Sequence, residues 1–170
     1  MTNQPPSSTP SPAPSIDSRA EFIAALRWGF DAACSAAGRR IVCCSADFAD
    51  WPLDEPALLA QLTAWLRLPQ RRLVLLSADF DPVPRLHPRF ADWRRDWVHA
   101  VEAWQPVPEQ GLRLSCLLCS DGEISVERLD EAQGRGRAAV NARSAHQHMR
   151  RLDALLQHCS PAWAGRQLGL

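Results

Sequence analysis

Two copies of the tetrapeptide Ser-Ala-Asp-Phe place carboxylates where they could do chemistry. They occupy residues 45–48 and 77–80, thirty-two positions apart, and each directly follows a short apolar run. Asp81 and His87 come soon after the second copy. A histidine beside two or three carboxylates can transfer protons or hold a divalent metal ion. The set therefore predicts a ligand site, with metal-assisted hydrolysis as one reaction it could support: Asp47, Asp79, Asp81 and His87.

The same aspartates also have a structural interpretation. A short polar side chain just after a strand often accepts backbone N–H groups of the following turn. Asp47 and Asp79 would then shape the turns that contain them and bind no ligand. The sequence alone leaves both interpretations open.

A strand, a helix and a second strand must position the two copies. Apolar runs at residues 40–45 and 72–77 are typical of strands buried on both faces, and the pattern at 55–68 predicts a helix between them. Strands joined by such a crossover are parallel, so their carboxyl ends lie at one edge of the sheet. Because ligands of open α/β folds usually bind at that edge, we expect both tetrapeptides to lie there side by side.

The remaining pattern predicts one α/β sandwich domain with a mixed, largely parallel sheet flanked by helices. A capping box at residues 18–21 opens the first helix, and Asp121-Gly122 marks a hairpin turn. The other predicted elements are a helix at 88–97, a strand at 98–104, hairpin strands at 112–119 and 124–129, a polar loop at 131–137 and a helix at 141–158. The Pro- and Ser-rich residues 1–16 are predicted to be a disordered tail and residues 17–170 the domain.

The six cysteines are predicted to be reduced thiols, and four of them, which form two closely spaced pairs, are predicted to be core residues. Cys116 and Cys119 have the spacing of a thiol pair, but on a strand residues three apart point to opposite faces. The adjacent Cys43 and Cys44 diverge in the same way. We therefore assign no metal-binding or redox role to the cysteines, and the favoured prediction names no catalytic residue, no metal and no cofactor.

The composition excludes several kinds of catalytic residue and bears on the cellular location of the chain. All nineteen basic residues are arginine, and tyrosine is absent, so a Schiff-base lysine, a P-loop lysine and a tyrosine acid are excluded. Nineteen acidic residues bring the net charge to zero, which argues against nucleic acid and membrane surfaces as partners. With no leader pattern and no long apolar run, we expect a cytoplasmic protein.

The chain resembles the phospholipase D-like superfamily over residues 18–170, and more closely a group of bacterial domains that look like a degenerate half of such an enzyme. The resemblance lies in the strand ending in Ser-Ala-Asp-Phe, the next helix and strand, the hairpin, the glycine-containing loop and the endings Cys159-Ser-Pro-Ala and Leu168-Gly-Leu. Active members carry His-x-Lys-x4-Asp on the hairpin and an asparagine downstream. Asp121 and Asn141 can stand for the aspartate and the asparagine, whereas Leu114 and Cys116 occupy the histidine and lysine positions.

The resemblance implies a phospholipase D-like fold that has lost the phosphodiesterase machinery. We therefore predict a non-catalytic binding or regulatory module of a cytosolic bacterial protein, with metal-assisted hydrolysis as the alternative. Asp121 and Asn141 join the four residues above as candidate ligand contacts. Because the parent fold often pairs two halves, a homodimer or a protein partner is expected, with Trp51 or Trp163 as an exposed anchor. A further hypothesis is nucleic-acid binding through Arg135, Arg137, Arg143, Arg150 and Arg151.

Overall fold

The computed structural model describes residues 11–164, which form an α/β fold. The strands are β1 (Ser15–Ile16), β2 (Arg40–Ser45), β3 (Arg72–Ser77), β4 (Val101–Pro106), β5 (Leu117–Ser120), β6 (Ile124–Asp130), β7 (Arg135–Val140) and β8 (Cys159–Pro161). The helices are α1 (Arg19–Ser35), α2 (Pro56–Leu66), α3 (Val83–Leu86), α4 (Pro88–Asp96) and α5 (Ala142–Leu156), with a short 3₁₀ turn at Pro108–Gln110. The strands form one sheet in the order β1-β7-β6-β5-β2-β3-β4-β8.

The centre of the sheet confirms the predicted crossover. β2 and β3 are parallel, with Arg40 opposite Arg72 and Ser45 opposite Ser77. β4 continues the parallel group beside β3, while β5, β6, β7 and β1 form an antiparallel meander on the other side and β8 runs antiparallel to β4. The sheet is mixed as predicted, but the expectation that it is largely parallel is wrong, because the hairpin strands and both edge strands are antiparallel.

Helices cover the sheet on both faces. Ile41 and Cys43 belong to the core shared with α1, α2 and α4, whereas Val42 and Cys44 pack towards α5. Cys116 and Cys119 divide between the same two cores, which confirms that the two members of each cysteine pair lie on opposite faces of the sheet. Because a strand buried on both faces needs apolar side chains at every position, β2 and β3 read as continuous apolar runs.

α1 begins as the capping box predicts. Ser18 Oγ accepts from the Glu21 N–H at 3.2 Å, and Glu21 Oε2 accepts from the Asp17 N–H at 2.7 Å. The helix buries Phe22 and Phe30 against the sheet. The satisfied N–H groups at its first turn therefore determine where α1 starts, and the spacing of its apolar residues determines which face is buried.

The segment predicted as a polar loop at residues 131–137 is a turn only over residues 131–134, and residues 135–137 begin strand β7. Its glycines explain both the strand and the wrong prediction. A Cβ on Gly136 would lie 2.4 Å from the Glu127 carbonyl oxygen, so only glycine allows β6 and β7 to pair here. Gly134 has a φ of +70°, and a Cβ there would meet the Arg19 backbone N at 2.4 Å. Because residues 134–137 alternate glycine with arginine, they lack the alternation of apolar and polar side chains by which a strand is predicted.

The folded region also begins earlier than predicted. Ser15 and Ile16 form β1, which pairs with β7, and the Ile16 side chain is buried. The predicted boundary between residues 16 and 17 therefore cuts through ordered structure. The part of the predicted tail at residues 1–10, and the ending at residues 168–170, lie outside the described residues.

Of the two tryptophans expected on the surface, Trp51 is buried and Trp163 is half-buried. Trp51 is buried, and its indole N–H donates to Cys116 Sγ at 3.3 Å. Trp163 stacks on Phe80 with ring centroids 5.6 Å apart, beneath the Arg94 guanidinium. The expectation of an exposed anchor is therefore wrong for Trp51, whereas Trp163 keeps part of its surface accessible.

Within residues 11–164, no helix has the length and apolar character that a membrane span requires.

Candidate functional site

The two Ser-Ala-Asp-Phe turns lie side by side at the carboxyl edge of β2 and β3, as predicted. The Asp79 N–H donates to the Ala46 carbonyl at 3.1 Å. Ser77 Oγ lies 2.9 Å from the same carbonyl, within donating distance. The first turn is thus bonded directly to the second, and the sequence repeat produces a paired structure.

The aspartates of this edge bind their own loops. Asp47 Oδ1 accepts from the Ala49 N–H at 2.9 Å, and Asp79 Oδ1 accepts from the Asp81 N–H at 2.9 Å. Each is an Asx turn, in which a carboxylate two residues upstream holds the backbone. All three aspartates, including Asp81, are exposed. The contacts match the structural interpretation of these positions.

His87 is buried and holds the first turn in place. Its Nε2 lies 2.8 Å from the Phe48 carbonyl oxygen. Because a carbonyl can only accept, Nε2 carries the proton and donates it. Phe48 itself has a φ of +59°, a left-handed conformation that is unfavourable for a bulky side chain. Ser45 Oγ accepts from the Phe48 N–H at 3.2 Å, so both polar groups of this residue are held.

The predicted quartet of Asp47, Asp79, Asp81 and His87 shares one edge but forms no metal-binding group. Among residues 11–164, no three His, Cys, Asp or Glu side chains are arranged to hold a metal ion. The imidazole points its proton into the protein towards Phe48, while the aspartates face solvent. The metal-assisted hydrolase therefore stays a prediction without a supporting arrangement of ligands.

Asp121 and Asn141 lie at the opposite edge of the sheet. Asp121 Oδ1 accepts from the N–H groups of Arg39 at 2.9 Å and Arg40 at 3.1 Å, where β2 begins. Asn141 caps α5, because its Oδ1 accepts from the Ser144 N–H at 2.8 Å. A six-residue strand is about 17–20 Å long, so these two residues cannot share a pocket with the quartet.

A cluster that sequence analysis missed lies behind the first turn. Arg128 donates to Asp50 Oδ2 at 3.0 Å, and its guanidinium carbon lies 4.2 Å from the centre of the Phe22 ring. Arg19 pairs with the same carboxylate. The Cys116 thiol lies in this region, with Trp51 donating to it. No spacing rule joins residues of α1, β6 and two separate loops, so only the folded chain shows the cluster.

Burial makes the thiols poor nucleophiles. Desolvation raises the pKa of Cys34, Cys44 and Cys119 to about 12. It also raises the pKa of Cys116, although the Trp51 N–H and the Arg128 charge oppose the rise. The thiolate is the reactive form, so these cysteines are protonated and unreactive near neutral pH.

One face of the molecule, formed by α5 and β7, is positively charged. Residues 132–158 contain five arginines and a single acid, Asp153. Arg137 lies opposite Glu127, whose carboxylate is 3.8 Å from His148 of α5, so the arginine leaves the sheet on the α5 side. The five arginines are exposed and form no salt bridge with another described residue: Arg135, Arg137, Arg143, Arg150 and Arg151.

Comparison with known proteins adds no relative. No family model matches the chain, and neither a curated protein nor a solved structure matches it. The phospholipase D-like resemblance therefore stays a prediction.

Proposed function

We propose that this chain is a binding module of phospholipase D-like architecture without hydrolytic chemistry. The observation that carries the proposal is the buried hydrogen bond from His87 Nε2 to the Phe48 carbonyl, 2.8 Å long. A general acid or base must reach a substrate with its exchangeable proton. Here that proton lies on a bond that holds the backbone, so the histidine acts as a structural residue.

The other candidate groups support the same conclusion. Asp47 and Asp79 accept backbone N–H groups within their own turns. Leu114, at the position of the superfamily's histidine, packs against the α5 core, and Cys116, at the lysine position, is a buried thiol. Neither side chain can attack phosphorus or neutralise a phosphate charge at neutral pH.

A phosphodiester assay tests this proposal. The full chain is incubated with bis(p-nitrophenyl) phosphate, with and without Mg²⁺, Mn²⁺ or Zn²⁺, and its Tm is recorded with each metal. We expect no turnover above the metal-only background and no metal-dependent rise in Tm. Turnover that is lost in the Asp47→Ala, Asp79→Ala double variant would overturn the proposal in favour of the hydrolase. The matched control replaces Asp92 and Asp96, two exposed acids of α4.

The charged face of α5 and β7 favours a second candidate function, binding of a nucleic-acid backbone. Zero net charge argued against this partner, but the charge is segregated: one acid stands among five arginines in residues 132–158. That acid, Asp153, already pairs with Arg40 at 2.6 Å, and Glu127 of β6, which lies on the same face, is 3.8 Å from His148. Guanidinium groups that form no salt bridge with a described residue suit phosphate, which they can contact through two N–H donors.

Salt dependence separates this function from accidental charge. We measure the affinity of the chain for a fluorescent oligonucleotide at several salt concentrations. Backbone binding through the face predicts a steep fall in affinity with salt, and the Arg150→Glu, Arg151→Glu variant should weaken binding about a hundredfold or more. The control is Arg67→Glu, Arg85→Glu, which reverses two exposed arginines elsewhere. Equal losses in both variants, or no binding at low salt, would exclude the face as a nucleic-acid surface.

A further inference from the structure

A cavity of about 620 Å³ opens at the amino edge of the sheet, away from the paired turns. It lies between the C-terminal half of α1, the turn that joins β5 to β6, and the end of β7. Binding sites for small molecules commonly have volumes of about 300–1,000 Å³. No motif in the sequence marked this place, because its walls are built mostly from small residues.

The walls of the cavity offer an apolar surface and an aromatic ring. Ala32 of α1 faces Ile124 and Val140, which are paired neighbours on β6 and β7. The half-buried indole of Trp28 joins them, and its N–H donates to the Ser11 carbonyl at 3.1 Å. An occupant therefore meets an apolar surface whose aromatic component is fixed by a hydrogen bond.

The charge that lines the cavity is negative. Asp31 and Glu123 contribute carboxylates, and the described lining residues include no arginine or histidine. Asp31 Oδ1 accepts from the Gln61 amide at 2.8 Å, a neutral donor that orients the carboxylate without cancelling its charge. α1 ends beside the cavity with no basic residue in its last turn. The unpaired carbonyls of a helix C-terminus carry partial negative charge, which favours a cation.

We propose that this cavity binds a small organic cation with an apolar body, such as an arylalkylammonium. Its body would displace water from the apolar wall, and its ammonium would be attracted by Asp31, Glu123 and the end of α1. Aromatic faces also attract such cations, which gives Trp28 a second contribution. The inference rests on the proposed function in that the chain binds a ligand and does not transform it.

Calorimetry with three probes of similar shape tests the proposal: phenethylammonium, neutral 2-phenylethanol and anionic phenylacetate. We expect the cation to bind the full chain about tenfold or more tightly than the neutral probe, and the anion to bind weakest. Asp31→Asn and Glu123→Gln should each weaken binding of the cation about three- to tenfold and leave the neutral probe unchanged. Glu109→Gln, which removes an exposed charge elsewhere, should change neither.

A second measurement locates the bound cation without any substitution. The Trp28 indole N–H resonance, assigned with Trp28→Phe, should shift with the same Kd as the calorimetric titration. Equal affinity for the three probes, cation binding insensitive to both carboxylate variants, or a titration that leaves the Trp28 resonance unmoved would each overturn the proposal. Turnover in the phosphodiester assay would contradict the proposed function and leave this result standing, so the two failures are distinguishable.

Discussion

The two edges of the parallel strands use polar residues in opposite ways. At the carboxyl edge, Asp47, Asp79 and His87 have the appearance of a catalytic set, yet all three hold backbone. At the amino edge, Asp31 and Glu123 belong to no motif, yet they line a cavity. Residue type alone therefore does not show whether a polar side chain has a structural role or lines a binding site. Where a polar group points, and whether the fold already uses it, decides between them.

The largest expected effect is the loss of His87. His87→Ala should lower the free energy of unfolding by about 3 kcal/mol, because it leaves the Phe48 carbonyl unsatisfied and opens a cavity beneath a left-handed residue. The measurement is urea unfolding followed by tryptophan fluorescence.

His146→Ala is the control for that substitution. His146 is an exposed residue of α5, so its removal should change stability by no more than about 0.5 kcal/mol. If His87→Ala were equally mild, the carboxyl edge would not depend on this histidine, and a role in ligand binding would become the better explanation for its presence.

The second prediction compares one aspartate from each edge. Asp121 accepts N–H groups from Arg39 and Arg40, more than eighty residues away in sequence. Asp47 accepts only the N–H of Ala49, two residues away. Asp121→Ala should therefore lower the free energy of unfolding by about 1–2 kcal/mol and Asp47→Ala by about 0.5 kcal/mol. The difference is expected because Asp121 joins two distant parts of the chain, whereas Asp47 bonds within its own turn.

The measurement is again the urea midpoint, with Asp92→Ala as the control for removing an exposed acid. Asp92 forms a salt bridge with Arg95, one turn away on the same helix surface. The prediction would be wrong if Asp47→Ala lowered the free energy of unfolding as much as Asp121→Ala. The hydrogen bond within the first turn would then stabilise the fold as strongly as the bonds from Asp121 to Arg39 and Arg40.

Much of the fold could be predicted because its signals are local. The β2 and β3 runs, the helix between them and the capping box at Ser18 each follow from a few adjacent residues. β7 was missed because the reason for its strand lies in Gly136, which admits the Glu127 carbonyl of a neighbouring strand. β1 and β8 are too short to carry a period of their own and exist only through their partners.

The site was predictable only in part, for the same reason. The repeat at residues 45–48 and 77–80 showed that two turns would meet, and they do. Nothing in the sequence shows whether His87 faces solvent or the Phe48 carbonyl, because that depends on the packing of α3 and α4. The cavity beside Trp28 needs residues from α1, the hairpin and β7 together. Such a set has no spacing to detect.

The smallest expected effect compares the thiols of the two edges at alkaline pH. Burial, with the Asp121 charge adding to it, raises the pKa of Cys119 to about 12, whereas Trp51 and Arg128 limit the rise at Cys116. Unfolded thiols ionise near pH 9, so between pH 9 and 12 the unfolded chain loses protons that folded Cys119 keeps, and stability falls as pH rises. Cys119→Ser should therefore reduce the loss of stability between pH 7 and 10 by about 1 kcal/mol, and Cys116→Ser by less. Urea midpoints at pH 7 and pH 10 measure the change in stability for each variant. A larger effect at Cys116 would contradict the prediction, because it would mean that Trp51 and Arg128 do not limit the rise in the pKa of its thiol.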